Sequence, residues 1–111
     1  MPADTVQVQE IDTATAKTWL DNGDAVMLDV REAPELFEAR LDIATHNPMS
    51  SFNLESIPAS EGKKLVIFCA HGMRSYQVAE YLLREGIVTE AYSMSGGMVA
   101  WAQAGLPHEK G

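Results

Sequence analysis

The sequence predicts an α/β domain: about five mostly parallel strands in one sheet, with helices on both faces. Two observations carry this. Short apolar runs alternate along the chain with segments whose apolar residues recur at helical spacing. The run Lys64-Leu-Val-Ile-Phe-Cys69 has no polar alternation after Lys64, which is the pattern of a strand covered on both faces. Strands that alternate with helices imply a parallel sheet between helical layers. Ligands of such sheets bind beyond the carboxyl ends of the strands.

Taken in order, Val6-Gln-Val8 reads as a short first strand. Asp12 or Thr13 caps a helix that carries Ala14, Ala16, Trp19 and Leu20 and stops at Gly23. The run 25–30 is the second strand. After Arg31-Glu-Ala, residues 34–41 read as a short helix with Pro34 in its first turn, acid early and base late, as the helix dipole prefers. Residues 43–45 suggest an edge strand closed off by Asn47-Pro48. The central strand 64–69 leads to a helix over 75–85, where Val78 and Leu82, and Ala79 and Leu83, lie four apart and Gly86 ends the segment. Residues 91–94 form the last strand, and Met98, Trp101 and Ala102 mark a final helix ending at Gly105-Leu-Pro107.

The chain has 111 residues, enough for one domain over 1–111, and no repeat, linker or low-complexity tract divides it. At this size roughly 65% of the unfolded chain's surface is buried on folding, so a self-standing core is expected. A formal charge of −8, without a Lys/Arg cluster, argues against nucleic acid and anionic membranes as partners. The single cysteine forms no internal disulfide, which suits a reducing cytoplasm. Residues 1–6 carry neither a basic nor an apolar leader region, and no apolar stretch approaches the ~18 residues of a membrane span. His46 and His108 have no companions at ligand spacing, so neither a metal nor another cofactor is expected.

The chemistry concentrates where the central strand ends. If 66–68 is a strand and a helix opens near Ser75, then Cys69 sits at the strand's carboxyl end with Ala70-His-Gly-Met-Arg74 curling over it. Loop N–H groups and the unpaired N–H groups of the helix start then converge on an anion, which would be the cysteine's own thiolate. A thiol of ordinary pKa ~8.5 is about 3% ionised at pH 7. Lowering that pKa by ~1.5 units gives roughly half, a difference of about 2 kcal/mol. The helix terminus supplies about 0.3–1 kcal/mol of this, leaving the rest to N–H contacts and the charge of Arg74. A lone cysteine in an apolar strand is otherwise a small hydrophobe. The glycine loop, Arg74 and the helix behind it favour the nucleophile.

These residues carry a resemblance. Cys69-Ala-His-Gly-Met-Arg-Ser75 resembles the active-site loop of the rhodanese (thiosulfate sulfurtransferase) family, commonly Cys-x-x-Gly-x-Arg-Ser before a helix. Asp29-Val-Arg-Glu32 is similar to that family's Asp-x-Arg-Glu segment. Ser95-Gly-Gly-Met-Val-Ala-Trp-Ala-Gln-Ala-Gly-Leu-Pro107 resembles its usual ending. The motifs occur in the family's order, and the length matches its single-domain branch. Within 33–53 the chain departs from the pattern: the family's Gly-His-Ile-Pro-Gly-Ala is absent. Either Phe37 keeps an aromatic place or Glu38-Ala-Arg-Leu41 aligns with the family's Gly-Ala-Arg-Leu.

The resemblance implies a rhodanese-like three-layer fold and sulfur transfer through a persulfide on Cys69. The donor would be thiosulfate or a persulfide, and the acceptor cyanide, a thiol or a protein. Arg74 is the candidate electrostatic stabiliser, with a structural ion pair to Glu35 or Glu80 as the plainer alternative. Ala70, His71, Gly72, Met73 and Ser75 would line the substrate site. Asp29 would brace loop backbone and Arg31 would form an ion pair. Gly96 and Gly97 permit a tight strand-to-helix turn. Four residues separate Cys69 from Arg74, one fewer than in phosphatase loops of this type, which weighs against a phosphatase or arsenate reductase. A regulatory domain that binds a protein partner without catalysis is the remaining alternative.

Overall fold

The computed structural model describes residues 6–58 and 61–111. Its frame is a five-stranded sheet, β1 (Gln9–Ile11), β2 (Ala25–Asp29), β3 (Thr45–His46), β4 (Lys64–Phe68) and β5 (Tyr92–Met94), in the spatial order β1-β5-β4-β2-β3. All four pairings are parallel. Three helices cover it: α1 (Thr13–Asp21), α2 (Met73–Arg84) and α3 (Gly97–Gln103).

The sequence of β4 explains the layering. Leu65, Ile67 and Cys69 point to one face, where they meet Val78, Ala79 and Leu82 of α2. Val66 and Phe68 point to the other, where they meet Ala16 of α1 and Met98 and Trp101 of α3. Side chains alternate across a strand, so a central strand buried on both faces must be apolar throughout. The expected three-layer α/β architecture is therefore present. No helix among the described residues is long and apolar enough to cross a membrane.

Element boundaries depart from the sequence reading by two residues or more in four places. The first strand lies at Gln9–Ile11 rather than 6–8, because its partner is β5, in the register Gln9 with Tyr92. The edge strand falls at Thr45–His46, two residues beyond its expected start, and leaves Ile43 exposed. The segment 34–41 is not a helix to Leu41. A 3-10 turn covers Ala33–Phe37, and Arg40 then exchanges two backbone hydrogen bonds with Glu109, each 2.8 Å, which holds its backbone extended. Leu41, not Phe37, enters the core, with Phe37 68% exposed. Finally, α2 starts at Met73 rather than 75, since Gly72 at φ 107° turns the chain directly from loop to helix. The expectation about a leader rests largely on residues 1–5, which lie outside the described residues.

Candidate active site

β4 ends at Phe68, and Cys69 follows at the carboxyl edge of the sheet, 1% exposed. Its Sγ is not surrounded by hydrocarbon alone. The N–H of Gly72 donates to it at 3.1 Å and that of Ser75 at 3.3 Å, with Ser75 Oγ 3.6 Å away. With Gly72 capping α2, Ser75 is the third helical residue, and its N–H is one of those a helix start leaves without an internal partner. Two forces therefore act on the thiol. Burial opposes its charge, while the N–H groups of Ser75, Gly72 and His71 and the Ser75 hydroxyl favour it. The hydrogen bonds prevail, and the thiol is held below its ordinary pKa.

The loop is held from outside by the turn before α3. Met98 N–H donates to the Cys69 carbonyl at 2.8 Å and Val99 N–H to that of Ala70 at 3.1 Å. Gly97 makes this approach possible. It has φ +58°, and a Cβ there would collide with the Cys69 carbonyl oxygen and stand 2.5 Å from the Ala70 carbonyl carbon and oxygen. The glycine pair thus does more than permit a turn. Gly72 is also confined, since a Cβ there would lie 3.2 Å from Gly96 N.

Arg74 makes a two-pronged pair with Glu35, at 2.7 and 2.8 Å. Glu80 instead faces Arg84. The Arg74 hydrogen bonds bring the Glu35 carboxyl down to about 2. Arg74 is in turn held above its ordinary value, chiefly by Glu35 and further by the charge on Cys69, so the guanidinium lies within electrostatic reach of the sulfur. Asp29 and Arg31 form a second pair, almost fully buried, with Arg31 Nη2 to Asp29 Oδ2 at 2.8 Å. The same carboxylate accepts the Arg31 backbone N–H at 2.9 Å. Arg31 also reaches the Glu35 carbonyl at 3.4 Å and lies over the Phe68 ring. The two ion pairs therefore meet at the turn carrying Glu35.

Two openings flank the loop. One, of about 490 Å³, is lined by Arg31, Glu35, Glu38, Ala70, Val99 and Lys110 among others. The other, of about 340 Å³, is lined by Glu10, His71, Gly72, Met73, Tyr76 and Ser95 among others. His71 and Met73 are exposed, with Met73 74% accessible, so both stand at the mouth. Sequence reading missed Ser93, on β5. It is fully buried and lies 2.8 Å from Ser75 Oγ across the bottom of the loop. No group of three or more His, Cys, Asp or Glu has metal-holding geometry among the described residues.

Known proteins similar in sequence and fold match most of this chain. A sulfurtransferase of Allochromatium vinosum is 32% identical over 90% of this chain and 94% of its own. A thiosulfate sulfurtransferase GlpE of Vibrio cholerae is 30% identical over 89% of this chain and 92% of its own. The crystal structure of a rhodanese-related protein of Thermoplasma volcanium superposes with a TM-score of 0.73 at 25% identity, covering 91% of this chain and 97% of that one. The pattern of the rhodanese-like domain matches residues 12–104, from the cap of α1 to the end of α3, and takes in the Cys69 loop with both elements that support it. The chain belongs to the rhodanese-like domain family.

Proposed function

We propose that this protein is a sulfurtransferase, acting as one rhodanese domain, in which Cys69 carries the sulfur. The observation that carries the reading is the set of N–H donors aimed at Cys69 Sγ from Gly72 and Ser75. They favour the thiolate over the thiol, and a thiolate needs no general base. In the first step Sγ attacks the outer, sulfane sulfur of the donor. A new S–S bond forms to Cys69, the donor's own S–S bond breaks, and the leaving thiolate or sulfite departs with the electron pair. In the second step a thiolate or cyanide attacks the outer sulfur of the Cys69 persulfide, and Cys69 leaves as thiolate. No net oxidation occurs. Loop N–H groups remain available to the charge at the outer sulfur, and Arg74 adds a fixed positive potential beside it.

Charge at the mouth favours one class of donor. Arg74 and Arg31 are each held by a carboxylate. The larger opening presents two cations, Arg31 and Lys110, against two carboxylates, Glu35 and Glu38. The smaller contains Glu10 and no Lys or Arg. A dianion such as thiosulfate meets no net positive charge there, whereas a small persulfide or a persulfidated protein cysteine does not require any. The physiological donor is accordingly a persulfide, with thiosulfate a weak substitute.

The test is a mass spectrum of protein treated with cysteine persulfide or thiosulfate and freed of excess donor. The wild type is expected to gain one sulfur and lose it to cyanide, and Cys69→Ser to gain none. No gain on folded wild type from either donor would leave the partner-binding alternative as the better reading.

A further inference from the structure

Beneath Cys69, two hydroxyls share a pocket with one sulfur and one carbonyl. Ser75 Oγ lies 3.6 Å from Cys69 Sγ, 3.2 Å from the Gly72 carbonyl oxygen and 2.8 Å from Ser93 Oγ. Ser93 Oγ is 3.4 Å from the same carbonyl. Both serines are wholly buried, and no buried side-chain polar atom is left without a partner among the described residues. Each hydroxyl has a single proton. Ser75 can spend its proton on Sγ, on the Gly72 carbonyl or on Ser93, but only one at a time.

We propose that Ser93 is a positioning residue, whose hydroxyl donates to Ser75 Oγ and thereby aims the Ser75 proton at Cys69 Sγ when the sulfur is a thiolate. The inference rests on the sulfur-carrier reading above for its purpose, though not for its geometry. In the thiolate state the chain runs Ser93 to Ser75 to Sγ, and each donor strengthens the next. The Gly72 carbonyl keeps the Tyr76 N–H, at 3.2 Å, and is not stranded. When Cys69 is a thiol, its S–H donates to Ser75 Oγ, and the chain runs the other way, through Ser93 to the Gly72 carbonyl. When Sγ is bonded to a second sulfur its charge has moved outward, and the same outward-turned arrangement leaves it without a hydroxyl donor. Two proton positions therefore follow the state of the sulfur while every heavy atom stays in place.

The test titrates the thiolate directly, by its ultraviolet absorbance and by the pH dependence of alkylation, with no sulfur donor present. The chain's single cysteine assigns the alkylation signal to Cys69 alone. Ser93→Ala is expected to raise the titration midpoint by about half to one pH unit. Ser75→Ala should raise it at least as far. The double variant should match Ser75→Ala alone, since Ser93 acts only through Ser75. Far-ultraviolet dichroism confirms that each variant is folded, and Ser93→Thr, which keeps the hydroxyl, should keep the wild-type midpoint if it folds. A Ser93→Ala midpoint equal to that of wild type, or a double variant whose shift is the sum of the two singles, would overturn the proposal. A normal Ser93 effect in a protein that never accepts sulfur would refute the carrier reading alone.

Discussion

Glu35 serves three groups at once: its carboxylate takes both prongs of Arg74 and the Glu32 N–H at 2.8 Å, and its carbonyl faces Arg31. The pair with Arg74 is about one-third exposed on each side, so solvent screens it, and its contribution to stability is about 1 kcal/mol. Its pH dependence has a definite sign. The carboxyl is at about 2 in the fold against an ordinary 4.5, so the contribution is complete above pH 4.5 and fades as the pH falls toward 2. Glu35→Gln should therefore have a lower urea midpoint than wild type at pH 7, with the gap closing between those two values. A gap that stays constant down to pH 2 would show that the carboxylate's charge is not what matters. At this scale the sequence spoke unevenly. Cys69, Gly72 and Ser75 were legible because their spacing along a short segment already determines a cradle. Arg74 was legible as a cation, but its partner lies 39 residues away, and spacing alone could not separate Glu35 from Glu80. Ser93 gave no signal, since a serine in a strand becomes part of the site only through a neighbour 18 residues distant.

At the scale of elements, the fold was readable where burial is two-sided and poorly readable at the rim. β2, β4 and α2 follow from apolar runs and helical spacing because the core they enter allows no other pattern. β1 and β3 are short edge strands of mixed polarity, and their positions are chosen by pairing with β5 and β2 rather than by their own residues. The turn from β5 to α3 shows how an element boundary becomes part of the site. Gly97→Ala places a methyl against the Cys69 and Ala70 carbonyls in a conformation unsuited to alanine. It should cost about 3 kcal/mol or more and, in the protein that still folds, abolish sulfur loading of Cys69 by displacing the loop. Gly23→Ala is the matched control. Its φ is +76°, with nothing within 4 Å of the added carbon, so it should cost only about 1–2 kcal/mol and leave loading intact. Denaturation midpoints and mass spectra of the two variants check the pair; equal loading by both would mean that the α3 turn does not hold the loop.

For the molecule as a whole, the decisive quantity is the charge of −8 gathered in a body whose radius of gyration is 13.2 Å. A thiosulfate dianion at ~15 Å from the centre would be repelled by about 4 kcal/mol in unscreened water. At about 0.01 M salt the Debye length, ~30 Å, exceeds that ~15 Å separation and much of the repulsion survives. At about 0.15 M it is ~8 Å, and only the charges near the mouth are felt. Those charges are balanced around the larger opening and negative around the smaller, so nothing local reverses the sign. The value of kcat/KM for thiosulfate should thus rise several-fold between these two ionic strengths, while that for cysteine persulfide, which carries one net negative charge when its S–SH group is ionised, should rise less. A rate for thiosulfate that falls as salt is added would mean that the dianion is drawn in by a local positive field. Lys110 would then be the first cation to replace, and thiosulfate would regain its standing against the persulfide as the donor this mouth selects.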